Sequence, residues 1–294
     1  MLWCAARYGA GYFDYALFGF YAMNGKQRDT YVTRVRNKKI IDRMNRPEYF
    51  DEFNDKLKFI SHFAPYLRRK LLNAEHASFE EFLEFLDGLD SFFAKPVRGK
   101  GGCGIEKLRP SDYPDKKVLW EHLRSKQLYL LEETLEQHPE MAKLHPESVN
   151  TLRIVTDRVD EKVYIAYVLL KIGRGNNFCD NTGQEGMFCR VDEHTGKICS
   201  IAVDDYFNDY EVHPDTGIRF QGYQLPMFRE TLEFVKNAAM VVPEIGHIGW
   251  DVAIAKDGPA IIEGNADPGV MCQFAPHYPE KQGLWPYYRR ILKL

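Results

Sequence analysis

The six cysteines, Cys4, Cys103, Cys179, Cys189, Cys199 and Cys272, include no CxxC pair and no zinc-type spacing. That excludes a zinc module and leaves free thiols in a reducing compartment as the simplest expectation. Basic excess is also missing: 39 lysines and arginines stand against 42 aspartates and glutamates, a net charge of −3. A general nucleic-acid binder would carry a strong positive balance, so nucleic acid is not expected as a partner. No uninterrupted apolar run reaches the roughly 18 residues of a membrane span. The aromatic start MLWCAARYGAGYFDYALFGFYAM is broken by Arg7 and Asp14, and no basic leader precedes a clean apolar core. A buried or partner-facing helix is the expectation there, with a homodimer contact or a peripheral membrane contact as its role, in a cytoplasmic protein. Repeats and low-complexity tracts are absent, and so is the phosphate-loop pattern GxxxxGK[ST].

What is present is an ordinary globular composition, 45% hydrophobic and 28% charged. Residues 1 to about 90 read as mostly helical, with apolar positions at helical spacing from Glu80 to Phe93 and Gly88 as a breaker. SFFAKP reads as a strand ended by Pro96, KVLWEHLRSKQ as a helix, and LYLLEETL as a strand leading to a turn. TLRIVTDRV and KVYIAYVLLKIG are β runs joined as a hairpin; GMFCRVD and ICSIAVD form a second around HTGK. MFRETLEFVKNAAMVVP is an amphipathic helix, and GWDVAIAKDGPAIIEGN closes as a hairpin turned at Lys256 to Pro259. The class is α+β, a helical start followed by mainly antiparallel sheet with covering helices. The basic stretches Arg28 to Arg46 and Arg68, Arg69, Lys70 read as solvated faces.

Four constellations carry candidate chemistry. In the last hairpin Asp251 and Glu263 sit on adjacent strands, and Glu263 and Asn265 are two apart on one strand face. Three hard oxygen donors near one point suit Mg²⁺, which keeps waters and bridges to phosphates; the alternative is a solvated polar hairpin. In SFFAKPVRGKGGCGIEKL a strand delivers Lys95 beside a loop with Gly99, Lys100, Gly101, Gly102 and Gly104. Such a backbone can wrap a phosphate while lysine supplies charge; the alternative is a plain surface loop. In LYLLEETLEQHPE, Glu132 and Glu133 are candidates for an adenine amino group or a ribose, with backbone near Leu135 for the base edge. Asn150, Arg153 and Lys171 lie on neighbouring β runs, where cations would neutralise a transferring phosphoryl group. Asn150 as well as Asp180, Asn181, His213 and His247 are candidates for the substrate side, each equally readable as a satisfied structural residue.

The order of the pieces is more specific than any one of them. A lysine strand, a glycine-rich loop, an EE hinge, an arginine strand and then D…ExN resembles the ATP-grasp superfamily, and more narrowly the sugar-transfer-associated ATP-grasp family. The carrying segments are Asp55 to Leu57, FFAKP with GKGGCGI, EETLEQHPE, SVNTLRIVT, DNTGQEG, HPDTG and IGWDVAI…GPAIIEGN, spanning roughly residues 50 to 270. The resemblance implies an ATP-grasp fold: two α+β subdomains clamping ATP behind a short helical amino-terminal region. The corresponding segments are 1–55, 56–135 and 136–294. By likeness Lys56 and Lys95 contact the α and β phosphates, the glycine loop closes over them, Glu132, Glu133 and Leu135 line the adenine hinge, and Glu140 meets the ribose. Asp251, Glu263 and Asn265 would hold one or two Mg²⁺ ions, with Mn²⁺ as a substitute. Arg153 and Lys171 would steady the γ-phosphoryl group and an acyl-phosphate formed from it.

The implied activity is ATP-dependent joining of a small-molecule carboxylate to an amine, with ADP and phosphate released, in cell-surface polysaccharide biosynthesis. A phosphotransferase on the same site and a nucleotide-binding module without catalysis are the alternatives. Three departures from the pattern stand out. Gly249 occupies the place where peptide ligases often carry an arginine two residues before the metal Asp; Glu185 replaces a glycine in DNTGQEG; and the region before Lys56 is short for a complete first domain.

Overall fold

The computed structural model describes residues 1–97, 104–177, 180, 185–269 and 273–293. The chain divides into two compact units, one of residues 55–136 and one of residues 1–54 with 137–294.

Residues 55–136 form a four-stranded antiparallel sheet in the order β1-β4-β2-β3. Its strands are β1 (Leu71–Asn73), β2 (Phe92–Lys95), β3 (Glu106–Leu108) and β4 (Leu130–Glu133). The two-residue alternation in β2 sends Phe92 and Ala94 into the core, where Leu131 of β4 joins them, and leaves Phe93 and Lys95 on the other face. Helices Phe79–Leu86 and Lys116–Ser125 cover the core face, with Phe82 and Trp120 ring centroids 4.7 Å apart. Ser78 caps the first helix through a reciprocal pair with Glu81. As the breaker at Gly88 implies, that helix ends at Leu86, the chain turns at Gly88 with φ of +75°, and Phe92 and Phe93 pass into the expected strand β2.

The larger unit is built on a seven-stranded antiparallel sheet, β11-β10-β5-β6-β7-β8-β9. The strands are β5 (Thr151–Val159), β6 (Lys162–Ile172), β7 (Met187–Val191), β8 (Ala202–Asp204), β9 (Asp209–Tyr210), β10 (His247–Ala255) and β11 (Gly258–Asn265). Leu152, Ile154, Val168, Leu170, Trp250 and Val252 are fully buried. Helix Phe228–Ala238 packs across β5, β6 and β11 with Phe228, Leu232 and Val235 buried. The opposite side carries Val155, Tyr167, Leu169 and Phe188, which share a core with Phe18, Phe20 and Tyr31. This second core is why the first 54 residues, read in sequence as a region of their own, group with the carboxy-terminal sheet. Asn45 fastens the join, donating to the carbonyls of His247 at 2.8 Å and Ala266 at 2.7 Å.

The aromatic start is several short pieces instead of one helix. Helices Leu2–Tyr8 and Tyr12–Leu17 are separated at Gly9, and Gly19 turns the chain again, both with φ of +66°. The last hairpin also differs in detail from its sequence reading. Its turn is the two residues Lys256 and Asp257, and Pro259 already belongs to β11. Proline is tolerated there because β11 is an edge strand, where a missing N–H breaks no ladder bond.

Candidate functional site

The register of four adjacent strands places five sequence-selected residues on one face of the large sheet. Asp251 on β10 lies opposite Glu263 on β11 and opposite Arg153 on β5. Arg153 in turn faces Leu169 on β6, two residues from Lys171, and Asn265 follows Glu263 by two. Directly opposed residues and those two apart share a face, so Asp251, Glu263, Asn265, Arg153 and Lys171 converge.

One irregularity makes the convergence. From the closing pair Ala255 and Gly258, a regular ladder would set Trp250 against Glu263 and send Glu263 to the buried side with Trp250. The ladder instead shifts after Val252↔Ile261, so that Ile262 is passed over and Asp251 meets Glu263. A one-residue bulge inverts every side chain beyond it, and here it turns the glutamate onto the aspartate's face.

The Asp251 carboxylate is buried and fully engaged. Arg153 grips it with a fork, Nε to Oδ1 at 2.6 Å and Nη2 to Oδ2 at 3.0 Å, and Lys171 Nζ adds a contact at 3.2 Å. Desolvation opposes ionisation, but the two cations outweigh it and hold the Asp251 carboxyl well below the usual range. Burial likewise works against the charge on Lys171, and Asp180 with Asp251 reverses the balance, so its ammonium is held above its ordinary value. Glu263 opens to solvent at its surface yet sits in crowded surroundings. Their desolvation, then the neighbouring Asp251 charge, raise its carboxyl. Asn265 Nδ2 donates to Glu263 Oε1 at 3.3 Å.

This donor set fits a hard divalent cation in part. Among the described residues no group of three His, Cys, Asp or Glu side chains could hold a metal. The protein offers two carboxylates and an amide oxygen, which is the usual small share for Mg²⁺, whose remaining positions go to water and phosphate oxygens. An ion at Asp251 has to be accommodated beside Arg153 and Lys171.

In the smaller unit, Lys95 and Glu132 stand on one face of β2 and β4. Lys95 Nζ meets Glu132 Oε1 at 2.9 Å, while Arg69 reaches Oε2 with Nε at 3.0 Å and Nη2 at 2.9 Å. The glutamate and arginine side chains are 8% and 3% exposed, so this is a buried carboxylate between two cations. Desolvation would raise its carboxyl; Arg69 and then Lys95 overcome that and lower it. Arg69 is a residue sequence reasoning missed. The run Arg68, Arg69, Lys70 read as a solvated face, whereas Arg69 turns inward to Glu132. Its signal was the EE pair itself, a buried strand carboxylate that needs a cation. Glu133, one position on, points to the opposite side of the sheet and accepts from the Lys70 backbone N–H at 2.8 Å. The two glutamates therefore do not form one carboxylate pair. Lys56, first residue of helix Lys56–Leu67, donates to the Pro96 carbonyl at 2.7 Å just after β2. Gly104 has φ of +74°, a conformation that favours glycine. Gly99, Lys100, Gly101 and Gly102 lie outside the described residues, as does Asn181. Leu135 follows β4, half-buried, and Glu140 pairs with Lys143 at 2.6 Å.

Three residues expected on the substrate side are taken up by the fold. Asn150 is fully buried; its amide donates to Gln137 Oε1 and to the carbonyls of Met141 and His145, and its oxygen accepts from Gly173 N–H. His213 donates from Nε2 to the Gly173 carbonyl at 2.9 Å, its Nδ1 accepts from the Asp215 and Thr216 N–H groups, and burial lowers its pKa. Together with His145, which contacts the Gly175 carbonyl at 3.0 Å, they pin the segment that follows β6. His247 is buried with Nδ1 at 2.6 Å from Asp157, whose other oxygen accepts from Tyr287. Asp180 differs: it accepts from the Thr151 N–H and hydroxyl at 2.8 and 2.5 Å and lies 4.0 Å from Lys171, which places it at the edge of the convergent face. Burial raises its carboxyl.

The order of motifs agrees with the comparison to protein families. Residues 116–289 match the family described as sugar-transfer associated ATP-grasp, and the chain belongs to that family. No curated protein matches by sequence. Among solved structures, the chain is similar to D-alanyl-alanine synthetase A from Vibrio cholerae O1 biovar eltor, at 12% identity and a TM-score of 0.49, covering 85% of this chain and 67% of that one. It is also similar to the ATP-grasp ligase PsnB in complex with a minimal precursor, at 13% identity, 85% and 64% coverage and a TM-score of 0.47. D-Alanine–D-alanine ligase from Helicobacter pylori compares at 15% identity, 83% and 63% coverage and a TM-score of 0.46. The chain thus spans about two thirds of the length of these proteins or slightly less.

Proposed function

We propose that the chain is an ATP-dependent ligase that joins a carboxylate to an amine through an acyl-phosphate, releasing ADP and phosphate. The observation that carries the reading is the convergence of Asp251, Glu263, Asn265, Arg153 and Lys171 on one sheet face, two carboxylates and an amide interleaved with two cations. Phosphoryl transfer needs positioning and neutralisation of spread negative charge more than it needs a strong protein base. Arg153 and Lys171 supply fixed positive charge for the γ-phosphoryl group and for the acyl-phosphate. With Gly249 where a second arginine would otherwise stand, Arg153 carries the role of stabilising the oxyanion. Asp251, Glu263 and Asn265 are the proposed holders of one or two Mg²⁺ ions, which would supply positive charge to offset that of the phosphates. Mn²⁺ has the same preference for oxygen donors.

Lys56 and Lys95 are the proposed contacts to the α and β phosphates, with the glycine loop from Gly99 to Gly104 around them. Glu132 acts here as a positioning residue, since its carboxylate holds Lys95 and Arg69. Because Glu132 and Glu133 face opposite ways, the base edge is assigned to backbone groups around Leu135, and the ribose to Glu140. Asp180 and Asn181 are the proposed substrate contacts. The substrates are small molecules, a sugar-linked acid or amino acid and an amine in cell-surface polysaccharide synthesis, and the demand for ATP places the work in the cytoplasm.

Product analysis tests the reading. With ATP, Mg²⁺ and paired libraries of acids and amines, including sugar nucleotides, ADP and phosphate are expected in equal amounts only when both a donor and an acceptor are supplied. ADP without free phosphate would identify a phosphotransferase and overturn the ligase assignment.

A further inference from the structure

The first 46 residues carry nine lysines and arginines against three aspartates, a local charge of +6 in a chain whose total is −3. The remaining residues therefore sum to −9. The same short stretch holds half of the large hydrophobic side chains that stand exposed among the described residues. Leu2 is 83% exposed, Trp3 58%, Tyr12 75%, Phe13 46%, Tyr21 70% and Val35 51%. Scattered exposed apolar residues are ordinary; a concentration of this kind beside clustered positive charge is not.

These side chains sit on a braced platform. Asp14 is buried and its Oδ2 accepts from the N–H groups of both Gly11 and Arg34, tying the turn between the first two helices to the start of helix Arg34–Met44. Thr33 donates to the Tyr8 carbonyl at 2.8 Å. A concavity of about 410 Å³ follows, with Ala5, Tyr12, Phe13, Arg34 and Val35 in its lining. Leu2 stands one helical turn from Ala5, on the same side of helix Leu2–Tyr8. Arg34 is exposed in the lining itself, and Lys39, one helical turn beyond Val35 on the same side of helix Arg34–Met44, is exposed as well.

We propose that this face docks on an anionic phospholipid bilayer. Tryptophan and tyrosine are the side chains that settle at a lipid–water boundary, with an apolar ring and a polar tip. Lysine and arginine beside them are drawn to acidic headgroups. Among the described residues no helix is long and apolar enough to cross a membrane; the proposed contact is one in the plane of the interface. The charge disfavours the other obvious occupant. A twofold dimer through this face would set the exposed Arg34 and Lys39 of one copy against those of the other. An acidic membrane offers the opposite sign, and the −9 on the rest of the chain keeps the remaining surface off it.

The test is sedimentation of the full chain with sucrose-loaded vesicles of phosphatidylglycerol and phosphatidylcholine in equal parts, against vesicles of phosphatidylcholine alone. Binding is expected to the acidic vesicles, to fall as salt is raised, and to drop roughly tenfold or more in Arg34→Ala/Lys39→Ala, since each cation near such a surface contributes about fivefold. Trp3→Ala/Phe13→Ala is expected to lower it by a similar factor while circular dichroism is unchanged, because both side chains are exposed. Equal affinity for the two vesicle types, no vesicle binding, or vesicle binding indifferent to both variants would overturn the proposal. So would a concentration-dependent dimer by analytical ultracentrifugation that Trp3→Ala/Phe13→Ala abolishes while acidic vesicles leave the chain in solution.

Discussion

Replacing Glu132 with alanine removes the β4 carboxylate that holds Arg69 and Lys95 in the smaller unit. The arginine is left with a 3% exposed side chain and no counter-charge from β4, and the lysine, at 15%, fares little better. Breaking a buried pair by deleting one partner costs about 3–5 kcal/mol, because the surviving charge keeps its desolvation penalty. Against a typical total of about 5–15 kcal/mol this is a large share. Denaturant slopes for small domains are about 1–3 kcal/mol per molar urea, so the unfolding midpoint of residues 55–136 should fall by roughly 1–5 M. Trp120, packed on Phe82 in that unit's core, reports the transition in a background where Trp3, Trp250 and Trp285 are phenylalanine. The acid side gives a second readout. The folded carboxyl lies below its unfolded value, so its stabilisation is complete above the ordinary glutamate value of about 4.3 and is lost as pH falls through the depressed one. Glu132→Ala should therefore flatten the stability profile below about pH 4.3. A midpoint within experimental error of wild type, with an unchanged acid limb, would show that Glu132 is solvated and that Lys95 is held by something else.

Further outcomes follow from the same geometry. Asn150→Ala strands the carbonyls of Met141 and His145 and the N–H of Gly173, a loss of roughly 2–4 kcal/mol; differential scanning calorimetry should show the larger unit melting lower by about 5–12 °C, and an unchanged melt would refute its role as a strut. Lys95→Ala should weaken ATP affinity by roughly 10- to 100-fold by calorimetry, as expected for a charge-assisted phosphate contact, and unchanged affinity would count against that contact. Burial, with Arg190 adding to it against the Phe188 backbone, pushes the His277 imidazole down to about 3. Its neutral form thus stabilises fully above the ordinary histidine value of about 6.5, and this is lost as pH falls toward the folded value. His277→Leu should remove part of the destabilisation between those limits, and an identical pH profile would contradict the assignment.

Much of the scaffold was legible in the chain. The β runs around Arg153 and Lys171 and the final hairpin show in Val, Ile and alternation, and they form as read. The convergence of Asp251 with Glu263 was legible as proximity but not as mechanism. A two-residue turn without the bulge at Ile262 would have hidden Glu263 behind the sheet, and one-residue insertions leave no mark in a pattern of apolar residues. The inward turn of Arg69 was invisible because a basic run looks the same whether one member is buried or all are solvated. Asn150 and His213 looked like site residues because polar groups near functional loops serve equally well as ligands or as pins, and only their hydrogen-bond partners separate the two roles. The grouping of the first 54 residues with the carboxy-terminal sheet depends on contacts between segments more than a hundred residues apart, such as Asn45 with His247, which periodicity cannot report.

The most direct measurement is ATP turnover by Glu263→Gln, followed as ADP release with the acid and amine that support wild-type activity. The substitution keeps size and hydrogen bonding while removing one of the two carboxylates on the convergent face. The account predicts that turnover falls below detection while the melting profile stays close to wild type; turnover at the wild-type rate would contradict the assignment of Asp251, Glu263 and Asn265 as the metal-holding end of the site.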